Sequence, residues 1–237
     1  MEPSARFEEV KIPLAEPIHG LESVSGVLGL PEWWPTGARA AVVLAHGSTG
    51  SYADPLLVEL HRALSERKYL TLRFNFPFAE AQKKRPDPPH VLDRTLRSAI
   101  ALLGRDPTAS PAHLFLAGKG LGSRVAADLA ASGPRVDGVA LLGYPLHGTN
   151  DTTPAKVEHL FRIVSPLLFV QGTRDKRCDL GTLRRTLTRV GTPTTLHVVQ
   201  EADQNFHIPK KTGRSDADAV AEILAVMDAW MHRVLGE

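Results

Sequence analysis

The segment best suited to chemistry is a glycine-rich turn, Gly-Lys-Gly-Leu-Gly, at residues 118–122. The apolar run that begins at Leu114 predicts a buried strand before the turn, and small and apolar residues at helical spacing predict a helix after it. A strand-turn-helix with the spacing Gly-x-Ser-x-Gly is an elbow that exposes a nucleophilic serine. Here the central residue is Gly120, which has no oxygen to attack a substrate. The turn therefore predicts the backbone of an elbow without its nucleophile.

Strands that alternate with helices predict an α/β protein, with a mostly parallel sheet and helices on both faces. Two segments with alternating apolar residues, 6–14 and 21–30, predict an antiparallel pair at the sheet edge. We expect a single domain over residues 1–237, in which 1–38 form the edge strands and a loop and 39–237 form a doubly wound core. Within that loop, Trp33 and Trp34 are expected to cover an open part of the core.

Helical periodicity and capping residues locate the helices. Residues 56–64, preceded by Asp54 and Pro55, and residues 91–103 and 180–190 are expected to be helical. Asp216 is expected to cap a long amphipathic helix through Leu235. In a parallel sheet the site lies beyond the carboxyl ends of the strands. One rim is therefore expected to hold His46–Gly50, Gly118–Gly122, Asp175 and the Asp203–His207 loop.

Composition narrows the class of protein. A chain of 237 residues, 43% of them apolar, can bury one substantial core. The net charge of +2 is too small to favour nucleic acid as a partner. A lone cysteine, Cys178, excludes an internal disulfide and suits a reducing compartment, and no apolar run has membrane-spanning length. We expect a soluble cytoplasmic protein without a membrane partner.

The order of motifs along residues 40–236 resembles the α/β-hydrolases, in a branch related to dienelactone hydrolases. This branch includes testis-expressed protein 30 and a subunit of the NSL histone-acetyltransferase complex. The resemblance implies an α/β-hydrolase-like three-layer sandwich. The motifs are Arg73-Phe74-Asn75-Phe76-Pro77-Phe78, Arg85-Pro86-Asp87, Gly118-Lys119-x-Leu121-Gly122-x-Arg124, Gly143-Tyr144-Pro145-Leu146-His147 and Gln171-Gly172-Thr173-Arg174-Asp175.

The resemblance also implies a catalytic triad, two of whose positions are substituted here. The family has a serine where this chain has Gly120, and a histidine, after a late aspartate, where this chain has Gln204. Only Asp175 matches, and a glutamine cannot accept a proton near neutral pH. The resemblance further implies an oxyanion hole or pocket, formed by His46, Gly47, Ser48, Leu121 and Tyr144.

Two functions remain open at this point. The leading one is a binding or scaffold protein that keeps the pocket but lacks serine-hydrolase chemistry. The alternative is a hydrolase or lyase for a small ester or acyl substrate, in which His207 and Asp175 act with water or Ser48. Against this alternative, a loop histidine such as His207 more often lies at the surface, and a serine in a loop such as that of Ser48 more often stabilises a turn. Cys178 follows Asp175 closely, and a nearby acid works against thiolate formation.

Neither a metal nor a cofactor is expected. His46 and His147 lie at strand ends without the spacing of a metal site, and the glycine turn lacks the spacing of a phosphate loop. The ligand in the cleft is an unidentified small molecule or protein. Basic clusters after three predicted strands would steer an anionic ligand towards the rim if they converge. They are Lys83-Lys84-Arg85, Arg174 with Lys176 and Arg177, and Lys210-Lys211 with Arg214.

Overall fold

A computed structural model describes residues 5–32, 39–105, 110–147 and 157–236. It contains an eight-stranded, mostly parallel sheet with an antiparallel N-terminal edge and flanking helices, which confirms the predicted fold class. The strands follow the order β1-β2-β4-β3-β5-β6-β7-β8. The predicted role of Trp33 and Trp34 falls outside the described residues.

The strands and helices have the following bounds. The strands are β1 (Arg6–Ile18), β2 (Leu21–Leu30), β3 (Ala40–Ala45), β4 (Leu70–Phe74), β5 (His113–Lys119), β6 (Gly138–Leu142), β7 (Leu167–Gly172) and β8 (Thr194–Val199). The α-helices are α1 (Pro55–Glu66), α2 (Pro77–Glu80), α3 (Pro89–Leu103), α4 (Leu121–Ser132), α5 (Leu180–Leu187) and α6 (Asp216–Leu235). Short 3-10 helices cover Glu158–Arg162 and Lys210–Thr212.

The contacts within the chain define two compact units, Met1–Ala117 and Gly118–Glu237, with the boundary inside β5. The single-domain organisation stays a prediction. No helix among the described residues is both long and apolar enough to cross a membrane.

In the first unit, β1 and β2 form the predicted antiparallel pair. The strand β1 continues four residues past its predicted end, because the pairing register shifts between Pro13 and Ile18. Such an irregularity breaks the two-residue alternation by which a strand is recognised in a sequence. The next strand, β3, is buried along its whole length and runs parallel to β4, as a continuous apolar run indicates.

The helix α1 begins where its capping residues predict. The Asp54 carboxylate accepts hydrogen bonds from the N–H groups of Leu56 and Leu57, at 3.1 and 3.4 Å, and Pro55 occupies the first turn. These contacts satisfy donors that an α-helix leaves unpaired at its start. The predicted cap of the helix is therefore confirmed.

The strand β4 ends at Phe74, and Pro77 begins the short helix α2. The strand ends here because the backbone that follows it bonds to side chains from other segments. The Phe76 N–H donates to His46 Nε2 at 3.0 Å, and the Phe78 N–H donates to Asp87 Oδ2 at 2.7 Å. These two bonds pull the backbone after Phe74 out of the sheet, and neither partner is close in sequence.

In the second unit, β6, β7 and β8 run parallel to each other. The cap of α6 differs from the prediction: Ser215 caps the helix in a capping box with Asp218, and Asp216 is the first helical residue. The carboxylate of Asp216 instead accepts hydrogen bonds from the Ile208 N–H and from His207. The capping box joins residues only three apart, so the sequence already contains the pattern that marks Ser215 as the cap.

The passage from β5 into α4 requires glycine at position 118. A Cβ atom there would overlap the carbonyl group of Gly122 and the nitrogen of Ser123, both in the first turn of α4. Backbone atoms cannot rotate aside as a side chain can. The helix can therefore start immediately after the turn only because residue 118 has no side chain.

We predict that Gly118→Ala lowers the free energy of unfolding by about 3 kcal/mol or more, because the added methyl group must displace backbone. Gly191→Ala is the matched control: a Cβ there meets no atom within 4 Å, and its backbone is not left-handed. The control should change stability by no more than about 0.5 kcal/mol. Urea denaturation of both variants measures the difference, and equal losses would contradict the packing assigned to Gly118.

Candidate functional site

The turn between β5 and α4 has the backbone of a sharp elbow. Gly120 lies at φ 54° and ψ −112°, a conformation that side-chain-bearing residues rarely adopt. Its N–H donates to the carbonyl of Leu142 at the end of β6, at 2.8 Å. Its own carbonyl accepts from the N–H groups of Ser123 and Arg124 in the first turn of α4. The turn is thus fixed from both sides, with a glycine at its centre.

The loop that carries Gln204 lies against the ends of β6 and β7. A Cβ atom on Gly143 would lie 2.9 Å from the Gln204 carbonyl oxygen, and one on Gly172 would overlap the Ala202 carbonyl oxygen. The Arg174 N–H also donates to that Ala202 oxygen, at 2.8 Å. The structure therefore brings the backbone of Gln204, where the resemblance implies a histidine, to the end of β6, which the Gly120 turn also contacts.

Asp175, the one matching triad position, is buried and already bonded. Its Oδ2 accepts a short hydrogen bond from Gln171 Nε2, and its Oδ1 accepts one from the Arg177 N–H at 2.7 Å. The amide oxygen of Gln171 accepts from the Tyr144 N–H at 3.0 Å, so one glutamine bridges two strand ends. Burial raises the pKa of Asp175, in opposition to these hydrogen bonds and to the Arg177 charge.

His207 does not pair with Asp175, as the alternative function requires. Its Nδ1 lies 2.8 Å from Asp216 Oδ2, and 66% of its side chain is exposed. The reason lies in the loop, where Asp203 Oδ1 accepts from the N–H groups of Asn205 and His207 and closes a tight turn. That turn directs His207 to the start of α6.

Tyr144 belongs to the core and does not line an open cleft, because its side chain is completely buried. Its hydroxyl donates to His159 Nε2 at 2.9 Å, and His159 Nδ1 lies 3.5 Å from Asp128 in α4. Burial raises the pKa of Tyr144, so the phenol stays protonated. What this residue gives to the site is its backbone N–H, which holds Gln171.

The loop after β3 belongs to the first unit and is organised by His46. This imidazole has no exposed surface; its Nδ1 donates to the Gly47 carbonyl at 2.7 Å and its Nε2 accepts from Phe76. Burial lowers the pKa of His46 to about 4. The side chain is therefore neutral, and it braces the loop. Ser48 is partly buried, and its assignment to an oxyanion hole, like those of Gly47 and Leu121, stays a prediction.

The other candidates are less suited to chemistry. Burial raises the pKa of Cys178 to about 12, so its thiolate is not available near neutral pH. Within the described ranges, no group of three or more His, Cys, Asp or Glu side chains is placed to hold a metal ion.

Reasoning from the sequence missed two residues that shape the site. Gln171 lies in a motif that carries the family resemblance, but the motif does not indicate that its amide bonds to Asp175. His159 follows a polar segment without periodicity, and nothing in the sequence indicates that it bonds to Tyr144.

Comparison with known proteins agrees with this architecture. Residues 38–232 match the family described as the Alpha/beta hydrolase domain, and the chain belongs to that family. Three solved structures illustrate the shared fold. A dienelactone hydrolase from Anabaena variabilis is 20% identical, with a TM-score of 0.74 over 98% of this chain and 99% of that one.

The second structure is a dienelactone hydrolase-like promiscuous phosphotriesterase from metagenomic libraries. It is 16% identical, with a TM-score of 0.71 over 96% of this chain and 98% of that one. The third, an alpha-beta serine hydrolase homologue from Coxiella burnetii, is 17% identical, with a TM-score of 0.70 over 92% and 96%. At these identities the likeness shows the dienelactone-hydrolase-like fold alone.

We predict a pH-dependent stability that originates in His46. Its pKa is about 4 in the folded chain and 6.5 in the unfolded chain, so between these values only the unfolded chain binds the proton. The stabilisation is complete above pH 6.5 and is lost as the pH falls towards 4, by up to about 3 kcal/mol. His61, whose pKa burial lowers to about 3, adds to the same slope.

The measurement is the free energy of unfolding of wild type and His46→Gln between pH 7 and 4. The variant should lose stability at pH 7, because the bond to Gly47 is gone, and should show a shallower pH slope. His90→Gln, at an exposed histidine, is the control and should keep the wild-type slope. An undiminished slope in His46→Gln would refute the assignment.

Proposed function

We propose that this member of the α/β-hydrolase family is a binding or scaffold protein that lacks serine-hydrolase chemistry. The observation that carries the proposal is the state of Asp175. Both of its carboxylate oxygens are bonded, one to Gln171 and one to the backbone N–H of Arg177, while the histidine position holds Gln204. The acid of a triad serves to orient an imidazole, and here its hydrogen bonds hold protein backbone and an amide.

The substitutions at the other two positions support the same function. Acyl transfer through a serine needs a hydroxyl and a base within hydrogen-bond reach. Gly120 supplies no hydroxyl, and Gln204 supplies no base. A positive φ at residue 120 favours glycine once catalysis no longer requires a side chain there. The absence of a nucleophilic side chain is therefore consistent with a turn whose backbone glycine adopts without strain.

The alternative, in which His207 and Asp175 activate water or Ser48, receives little support. His207 bonds to Asp216, and Asp175 bonds to Gln171. A general base must lie within hydrogen-bond reach of the proton that it removes. Use of His207 with Asp175 would require the contact between His207 and Asp216 to break.

We also propose the branch of the family to which the chain belongs and its location in the cell. Five motifs support membership of the branch that includes testis-expressed protein 30 and the NSL-complex subunit. A single cysteine, which is buried, supports a reducing, cytoplasmic setting.

The first test is chemical labelling. With no activated serine, the protein should not react with a fluorophosphonate probe, and a panel of short-chain esters should be hydrolysed no faster than in buffer. Intact-mass spectrometry measures labelling, and the heat-denatured protein controls for non-specific reaction. Stoichiometric labelling of Ser48, or of any other serine, would overturn the proposal.

The second test introduces the hydroxyl group that position 120 lacks and the imidazole that position 204 lacks. Gly120→Ser restores the hydroxyl without a base, so hydrolysis of p-nitrophenyl acetate should stay at background. The variant should lose about 1–3 kcal/mol of stability, because a side chain must then occupy the left-handed turn. Adding Gln204→His supplies an imidazole for Asp175 to orient, and we expect only the double variant to gain esterase activity.

The matched control for stability is Gly120→Ala, which makes the same backbone demand without a hydroxyl. It should be as destabilised as Gly120→Ser, and it should be inactive both with and without Gln204→His. Turnover by Gly120→Ser alone would mean that another residue, such as His207, already acts as the base. A serine that costs no stability would mean that the strain assigned to the turn is wrong.

A further inference from the structure

We propose that two copies of this chain associate through the outer edge of β1, with the two β1 strands antiparallel and Val10 opposite its own copy on a two-fold axis. The inference goes beyond the proposed function and does not depend on it, because it uses only residues of the first unit. In the strand order of the described residues, β1 comes first, so one of its edges has no neighbouring strand. Such an edge presents backbone N–H and C=O groups that can pair with another strand.

The contacts of β2 show which backbone groups face this open edge. Ser25 directs both of its backbone groups away from β1: its carbonyl accepts from the Asn75 N–H at 2.8 Å, and its N–H donates to Glu80 Oε2 at 3.2 Å. Lys11 lies opposite Ser25 in the antiparallel register. Opposite residues that do not bond to each other direct their backbone groups away from each other. The N–H and C=O groups of Lys11 therefore face the open edge.

The alternation of a strand extends this result to Phe7 and Glu9, whose backbone groups face the same way. Pro13 belongs to the same uninterrupted register with β2 and comes next in this series. A strand tolerates a proline where the missing N–H would face outwards, so the position of Pro13 agrees with the assignment. The register shifts after Pro13, which limits regular pairing to residues 6–13.

The charges of β1 are complementary to a second copy of the same strand. With Val10 opposite itself, Glu9 of each copy lies opposite Lys11 of the other. The Cβ atoms of opposite residues are about 4.5–5.5 Å apart, close enough for an ion pair between their side chains. Glu9 is exposed. Lys11 contacts Ser25 and lies 3.7 Å from Glu80, but 68% of its side chain is exposed, and an ammonium group has several hydrogens to donate.

Other registers of the same two strands place like charges opposite each other. In a continuous sheet, opposite side chains share a face, so each allowed register places one residue of β1 opposite itself. If that residue is Glu8, Glu9 or Lys11, two identical charges meet, and like charges directly opposite each other are destabilising. Charged residues on an edge strand usually oppose association. Here they disfavour these registers and favour the one centred on Val10.

The same register covers an exposed aromatic side chain. Phe7 is 43% exposed, although its ring packs against His61 with a distance of 5.2 Å between ring centroids. With Val10 on the axis, Phe7 lies opposite Pro13 of the other copy, and the Phe7 N–H can donate to the Pro13 carbonyl. Contact between these two side chains removes apolar surface from water. The exposed ring, the charges and the position of Pro13 therefore support the same pairing.

The test measures association of the full chain by sedimentation velocity, over a dilution series from micromolar to millimolar concentration. Wild type should show a reversible equilibrium between monomer and dimer. Lys11→Glu and Glu9→Lys each turn attractive pairs into repulsive ones, so each should weaken the dimer Kd about tenfold or more. Glu22→Lys changes the net charge as Glu9→Lys does, but at an exposed residue of β2. This control should change Kd by less than about twofold.

A mixture of the two charge variants tests the pairing itself. Lys11→Glu and Glu9→Lys each repel their own copies but are complementary to each other in the proposed register. A one-to-one mixture should therefore form dimers with a Kd close to that of wild type. The double variant Glu9→Lys/Lys11→Glu, which keeps the net charge of wild type, should also associate as wild type does. A mixture that associates no better than its components contradicts the pairing.

Val10→Cys locates the axis by a measurement that does not depend on charge. Two such residues on the axis have Cα atoms about 4.5 Å apart, which lies within the range of a disulfide. Oxidation should therefore link two copies of this variant, while the native Cys178 is buried. Glu8→Cys is the control and should not be linked, because the two Cα atoms would be about 13 Å apart along the strands.

Two results contradict the proposal directly. One is a wild-type chain that stays monomeric throughout the dilution series, which would leave the edge of β1 to water or to a strand of another protein. The other is a dimer that neither charge variant weakens, because its interface must then lie elsewhere. Neither result bears on the labelling by fluorophosphonate, which tests the proposed function alone.

Discussion

Close backbone approach at the ends of three consecutive strands is the constraint on which the candidate site depends. At Gly118, Gly143 and Gly172, the backbone of a following segment occupies the space where a Cβ atom would lie. These contacts set the start of α4 and the position of the loop that carries Gln204. A side chain at any of the three would separate the segments, and the site would lose its geometry. At these three positions glycine is required because a Cβ atom would have no space, whereas at Gly120 glycine is favoured by the backbone conformation.

One amide side chain connects Asp175 to the end of the neighbouring strand. Gln171 donates to Asp175 and accepts from the Tyr144 N–H, so both ends of the amide are used. A buried carboxylate must be hydrogen-bonded, and the Gln171 amide and the Arg177 N–H supply these bonds. Asp175 therefore has a structural role of its own, in joining the end of β7 to the segment that follows it.

The motifs that carried the family resemblance also have structural explanations in the first unit. Arg73 donates to the Tyr52 carbonyl and lies over the Tyr52 ring, and Asn75 bonds to the Tyr52 N–H and to Glu80. Asp87, almost fully buried, accepts from the Phe78 N–H and from His19. Such bonds stabilise the loops around a site without taking part in chemistry. Motif likeness therefore supports the fold of this chain more strongly than it supports an activity.

The sequence alone determined the order of strands and helices, the antiparallel edge and the absence of a nucleophile at residue 120, because these depend on local periodicity and on residue identity. Only the tertiary structure decided the partners. The alternative function requires His207 to pair with Asp175, but it bonds to Asp216. The hydrogen bonds of Tyr144 and His46 also join segments from different parts of the chain. A side chain's partner depends on which distant segments pack beside it, and sequence spacing holds no record of that.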